Sequence, residues 1–332
     1  MNIMNEPKGA SVVSPALRIR QGEDNIMLDV IIALMPALAA GIWFFGYRAG
    51  LVVLISVATA VATEWSFCKL FHRKNTVRDL SAIVSGLILA FNMPPTVPLW
   101  IPAVGSIFMI IIIKMVFGGL GNNFVNPAAA ARIFLVTSWP AFVTKWVVPG
   151  SPARNLKLLF ESDLVSAPTP LSLLKDGMMN KLPKYMDLYM GNVAGCIGEV
   201  CVVALIFGGL YLVFRKVISW KIPVIYIGTV FLLTWSLGAD PVYSILSGGL
   251  MLGAIFMATD HTTSPVNSKA KIIYAIMLGC LTVLFRFKSS MAEGICYSIL
   301  IMNVVVPFFD KVFPIRQLGK IKAEKGEDLT NG

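Results

Sequence analysis

The sequence predicts an all-α integral membrane protein of about ten transmembrane helices, set out as two five-helix inverted repeats with short or broken helices. Three observations carry this. Of 332 residues, 56% are hydrophobic and only 14% charged, against roughly 25% charged in a soluble domain. The apolar residues fall in blocks of helix-spanning length, the form a chain takes where no water can satisfy its backbone. The basic residues behind the net charge of +10 lie between those blocks. There they encode orientation, and nucleic-acid binding is excluded as their role.

Residues 1–25 are mixed polar and charged, without an apolar core or a small-residue cleavage site. They predict a cytoplasmic segment with no cleaved signal, the first span directing insertion itself. The first repeat, 26–143, predicts spans over Ile26–Gly46, Ala49–Phe67, Leu80–Met93, Trp100–Phe117 and Asn126–Val143. Residues 144–190 read as an extracytoplasmic loop. The second repeat, 191–310, predicts Gly191–Phe214, Pro223–Leu237, Pro241–Thr259, Ile272–Phe287 and Ala292–Phe309, and 311–332 form a cytoplasmic tail. Several spans are short for a hydrocarbon core of about 30 Å. The third stops at Asn92-Met-Pro-Pro, and such interrupted spans suggest half-helices lining an internal site. Ser85-Gly-Leu-Ile-Leu-Ala-Phe echoes Ser247-Gly-Gly-Leu-Met-Leu-Gly in the eighth span, and an odd number of spans per half inverts the second copy.

Orientation follows from the basic residues. With the N-terminus inside, the cytoplasmic segments collect Lys8, Arg18 and Arg20, then Lys69, Arg73, Lys74 and Arg78. Arg215, Lys216, Lys221, Lys269 and Lys271 follow, with a basic tail after Lys311. The short outer loops hold Arg48, Arg286 and Lys288. That asymmetry predicts both termini in the cytoplasm and 144–190 outside.

Cysteines stand at 68, 196, 201, 280 and 296 with no C-x-x-C, and the histidines are His72 and His261. This set argues against an iron–sulfur site or a bis-histidine haem held by this chain alone, and any electron carrier is expected to be organic. Asp29, Glu64, Lys114, Arg132 and Glu199 fall in or beside spans. An ionisable group near a span centre costs about 2.5–3.5 kcal/mol, so it faces the interior and finds a partner. Asp29 and Glu64 are candidates for an ion path, or else interfacial groups. Lys114 and Arg132, near span ends, read as snorkelling to headgroups. Gly118-Gly-Leu-Gly121 lacks the spacing of a nucleotide loop and reads as a link between half-helices. Asp260 to Pro265 reads as a helix cap, with cofactor contact as the alternative.

The outer segment contains Asp163-Leu-Val-Ser166-Ala167-Pro168-Thr169-Pro170-Leu171. Prolines on both sides of Thr169 disfavour helix and predict an extended, accessible strand whose hydroxyl can form a phosphoester. By composition alone it is an ordinary Ser/Pro-rich loop.

Asp163-x-x-Ser166-Ala167-x-Thr169 resembles the D-x-x-S-[GA]-x-T pattern at which a flavin transferase attaches FMN to threonine. The family so marked comprises the D subunits of Rnf complexes and the B subunits of sodium-pumping NADH:quinone reductases. Its commoner form is S-G-A-T, so Ala167 and Pro168 are departures. Ser14–Arg18, Ile26–Pro36, Asp79–Ala82, Phe91–Pro95, Phe117–Pro127, Met257–Pro265 and Glu293–Asn303 are also similar to the family, and the likeness covers nearly the whole chain. A length without a long N-terminal extension looks more like the Rnf member of the family, with the quinone-reductase member as the alternative.

The resemblance implies FMN bound covalently to Thr169 on the outer face, with Asp163, Ser166, Ala167, Pro168 and Leu171 completing the recognised run. It further implies a riboflavin-type second flavin inside the bundle, nearer the cytoplasm. Implied partners are the other Rnf subunits, including an outer FMN-bearing one, a flavin transferase and the lipid bilayer. The implied activity is ferredoxin:NAD+ electron transfer coupled to Na+ or H+ movement across a bacterial or archaeal cell membrane, by a subunit not active alone. A solute channel or transporter of similar inverted-repeat fold is the competing reading. Such a protein has no need of the D-x-x-S-A-x-T run.

Overall fold

In the computed structural model, residues 23–73, 75–119, 121–150, 167–289 and 294–314 are described, and their regular structure is helical throughout. The first half comprises α1 (Glu23–Phe45), α2 (Tyr47–Leu70), α3 (Ser81–Phe91), α4 (Trp100–Phe108), α5 (Pro127–Ser138) and a single turn, α6 (Pro140–Val143). Two short helices follow, α7 (Pro170–Lys175) and α8 (Tyr185–Met190). The second half comprises α9 (Val202–Phe214), α10 (Lys221–Ser236), α11 (Pro241–Leu246), α12 (Leu250–Leu252), α13 (Ser268–Lys288) and α14 (Ile295–Val312). Among these, α1, α2, α13 and α14 are long and apolar enough to cross a membrane, while α3, α5, α9 and α10 are shorter apolar helices.

Three expected spans differ in the structure, each for a local reason. The fifth stops at Ser138, because Trp139 precedes Pro140 and takes a non-helical conformation (φ −134°, ψ 59°). The sixth is expected from Gly191, but α9 begins only at Val202. The residues before it run back to α3, where the Ile197 and Gly198 N–H groups donate to the carbonyls of Met93 and Phe91. Those bonds satisfy carbonyls that a helix end leaves open. The eighth breaks at Ser247-Gly248-Gly249, where both glycines have positive φ, +66° and +68°. Of the Ser85/Ser247 echo, Ser85 lies inside α3 and Ser247 ends α11. The stretch read as a plain outer loop also holds α7 and α8.

Each half contains a π-helical segment, Met109–Met115 continuing α4 and Gly253–Met257 continuing α12. The Val116 N–H reaches Ile111 and the Ala258 N–H reaches Gly253, five residues back in each case. Such wide turns often occur at functional sites.

The halves interlock, with α1 packed on α9 and α5 on α14. Gly208 allows the first contact, since a Cβ there would lie 2.2 Å from the Ala33 carbonyl oxygen. Asn126 and Asn303 pin the second. The Asn126 N–H donates to Asn303 Oδ1 at 3.0 Å, and Asn303 Nδ2 donates to the Thr263 carbonyl and to the Tyr274 hydroxyl.

Candidate functional site

Two cavities lie at opposite ends of α9, whose 13 residues span about 20 Å. The wider one is a chamber of about 70 Å3. Met27, Val30, Val84, Ile88, Ile255 and Phe256 supply apolar walls, and Ser81, Lys114, Asn123 and Asp260 to Thr262 supply polar groups. Both π-segments contribute, through Lys114 in one and Ile255 and Phe256 in the other.

Lys114 does not snorkel. It is 1% exposed, and its Nζ donates to both oxygens of fully buried Glu64 at 2.8 Å and to Ser81 Oγ at 2.6 Å. Thr76 Oγ1 donates to the same carboxylate. The ammonium thus uses all three donors, which a charge so deep in the fold requires. Sequence separation hid the pair, because residues fifty apart meet only through the packing of α2 against the π-segment. Asn123 carries no signal in the sequence. It is buried, lines the chamber, and its Oδ1 accepts no hydrogen bond.

Asp260 does not cap α13; Asn267 does, accepting the Lys269 N–H at 2.9 Å. Asp260 instead closes its own turn, accepting from the Thr262 N–H and the Thr262 and Thr263 hydroxyls. Burial pushes its carboxyl pKa up, and those hydrogen bonds pull the other way. Asp29 faces neither cavity. It lies on the α1–α9 seam, accepting from the Tyr211 hydroxyl at 2.9 Å and pairing with Arg215 at 3.3 Å.

The second cavity is a narrow cleft of about 20 Å3 lined by Thr169, Leu171, Gly195, Glu199, Ser247 and Gly248 among others. Thr169 has the expected extended backbone (φ −72°, ψ 155°), but it is 8% exposed rather than accessible. Pro170 does not forbid helix after it. It occupies the first helical position of α7, where its missing N–H costs nothing. Thr169 is the N-cap, and its Oγ1 accepts the Ser172 N–H at 3.2 Å. Ala167 ties the segment down through its N–H to the Trp146 carbonyl. Asp163 and Ser166 lie outside the described residues, and Pro168 and Leu171 flank the threonine, with Leu171 buried.

Buried Arg286 holds the α11–α12 break beside this cleft. It donates to the Ser244 carbonyl, to Ser247 at 2.9 Å and to Gly248 at 3.3 Å. Gly248 packs against Leu171, because a Cβ there would lie 2.9 Å from Leu171 Cδ2 and 3.2 Å from Arg286 Nη2. Glu199 accepts the Cys196 N–H at 2.8 Å. Arg132 is buried rather than snorkelling, with its guanidinium 5.8 Å from the Trp146 ring and 3.9 Å from Cys196 Sγ.

Fold and site together define a helical membrane protein with an internal chamber at one end and a threonine-lined cleft at the other. The chain matches the model of the NQR2, RnfD, RnfE family over residues 11–319 and belongs to that family. It is 45% identical over 324 residues to the D subunit of the Na+-translocating ferredoxin:NAD+ oxidoreductase complex of Acetobacterium woodii, covering 97% of this chain and 99% of the relative. It is 40% identical to the D subunit of the proton-translocating ferredoxin:NAD+ oxidoreductase complex of Clostridium ljungdahlii, over 90% and 92% of the two chains. The D subunit of the ion-translocating oxidoreductase complex of Alcanivorax borkumensis is 33% identical, over 94% and 97%.

Proposed function

We propose that this chain is the D subunit of an ion-translocating ferredoxin:NAD+ oxidoreductase. It is set in the cell membrane as ten spans in two inverted halves, with both termini cytoplasmic. FMN is joined through its phosphate to Thr169 Oγ1 on the non-cytoplasmic side, and a riboflavin-type flavin occupies the chamber at the other end. One observation carries this reading: the D-x-x-S-A-x-T run ends at Thr169 in a chain similar to D subunits over nearly its full length.

The residues present fit both groups. A tricyclic ring with polar edges needs apolar walls and a few placed hydrogen-bonding groups. The chamber offers Val84, Ile88 and Phe256 as walls and Asn123 Oδ1 as an acceptor lacking a donor. In the cleft, Thr169 is the tether, Gly195 and Glu199 line the same space, and Arg286 stands behind Gly248 with its donors on the Ser244, Ser247 and Gly248 carbonyls. A flavin at each end supplies one- and two-electron chemistry, with the protein supplying position and electrostatics. The apolar residues between the cavities keep water from the interior. Glu64 and Lys114 hold opposite charges in contact at the chamber wall, so a cation entering there competes with Lys114 for the carboxylate.

The protein works in an assembly with an outer FMN-bearing subunit and is matured by a flavin transferase. Two relatives of comparable similarity have names carrying different ions, Na+ and H+, so transport in vesicles decides the ion. Asp29→Asn and Glu64→Gln are expected to lower that transport, and unchanged transport in both removes them from the ion path. For the tether, the chain is co-expressed with a flavin transferase and run on a denaturing gel. The wild-type band is expected to fluoresce under ultraviolet light and Thr169→Ala to be dark. A dark wild-type band overturns the covalent reading and favours a transporter without a redox role.

A further inference from the structure

Beside the chamber, and sharing Val217, Ile218, Thr259 and His261 with it as walls, lies a separate open cavity of about 330 Å3. It sits where α9 ends and α10 and α13 begin, so it lies at the boundary level of a long apolar helix. Its polar lining is one-signed. Lys216 and Lys271 face it with His261, Ser219 and Ser264, and no carboxylate is among its described lining residues. The neighbouring cations are committed elsewhere, Arg215 to Asp29 and Lys221 to Ser268 Oγ. Asp260 is turned into its own loop.

Lys216 adds an independent observation. The Lys216 N–H donates to the Val213 carbonyl and the Val217 N–H to Leu212, closing α9 in the paired pattern whose left-handed residue is usually glycine. Lysine occupies that residue at φ +58°. The backbone alone favours glycine here, so a lysine at this residue marks its side chain as a candidate for function. Trp220, lining the cavity at 56% exposure, and nearby Phe214 at 85% present aromatic faces at the same helix ends, as side chains at a lipid–water interface do.

We propose that this cavity binds a phosphate ester, supplied either by the headgroup of an anionic phospholipid or by a free mononucleotide. The site does not depend on flavin attachment at Thr169. The test uses native mass spectrometry of the full chain in its membrane assembly. One arm offers equal phosphatidylglycerol and phosphatidylcholine. The other offers FMN against riboflavin after lipid removal. The expected result is retention of the phosphate-bearing anion in at least one arm, reduced on the order of ten-fold in Lys216→Gly/Lys271→Gln. The responding arm names the source. Lys216→Gly removes the charge while relaxing the backbone, so a folding defect does not account for the loss. Lys269→Gln, exposed on the same helix end but outside the cavity, is expected to leave both arms unchanged. The proposal is overturned if the wild type shows neither preference, if the double variant keeps it, or if Lys269→Gln alone abolishes it.

Discussion

At the Thr169 end, backbone groups opened by broken helices are met by arginines. Arg48 donates to the carbonyls of Pro95 and Thr96, and Arg286 to those of Ser244, Ser247 and Gly248. At the chamber end one arginine, Arg73, meets the Met115 carbonyl at 3.1 Å, and the buried polar groups are a carboxylate and an ammonium with hydroxyls and asparagines around them. A guanidinium stays charged at any working pH and its fork is rigid, so the first end is fixed. The second end rests on a buried ion pair whose ammonium spends its three donors singly on Glu64 and Ser81. One fold thus secures its two ends by different chemistry.

The sharpest test of that contrast is Lys114→Met, which strands the Glu64 carboxylate in the interior. A loss of about 3–5 kcal/mol is expected, read as a large fall in Tm of the detergent-purified protein. Lys114→Met/Glu64→Gln should recover most of it. A single variant as stable as wild type would show that the pair anchors nothing. Next is Arg286→Gln, expected to cost about 2–3 kcal/mol by leaving carbonyls without their charged donor. Arg286→Lys should restore less than half, since one ammonium does not reproduce the fork. If lysine restores Tm fully, that end is less rigid than its geometry implies. Gly208→Ala pushes a methyl into Ala33 and is expected to cost about 1–3 kcal/mol, testing the seam that holds the two ends in register. The smallest effect is expected from Asp29→Asn, about 1 kcal/mol or less, because its partner Arg215 is 46% exposed and screened by solvent. A larger fall in Tm would make the α1–α9 seam, rather than the ends, the principal support.

The blocks of apolar residues showed where helices lie, because lipid-facing and buried positions both demand them. Prolines and glycines marked several breaks, including the one after Asn92. The run around Thr169 was readable because its residues are contiguous. What stayed hidden was tertiary. Nothing local says that Lys114 meets Glu64, or that Asn123 faces a chamber with an acceptor to spare. Arg48 and Arg286 read as outer-loop charges, yet both are buried against carbonyls that exist only where other helices break. Removing them from the outer loops leaves Lys288 there, which sharpens the charge asymmetry that first suggested orientation. Thr169 itself reads as accessible in the sequence, because its neighbours describe a loop and its burial depends on the end of α11 and residues 193–200 closing around it.

That burial sets an order of events in biogenesis. A hydroxyl enclosed between helices, and already receiving an N–H from its own chain, gives a second protein no line of approach. An enzyme that modifies Thr169 must reach it before the segment docks, or prise it out afterwards. Should flavin be attached to Thr169 as proposed, chains that close early would escape the transferase.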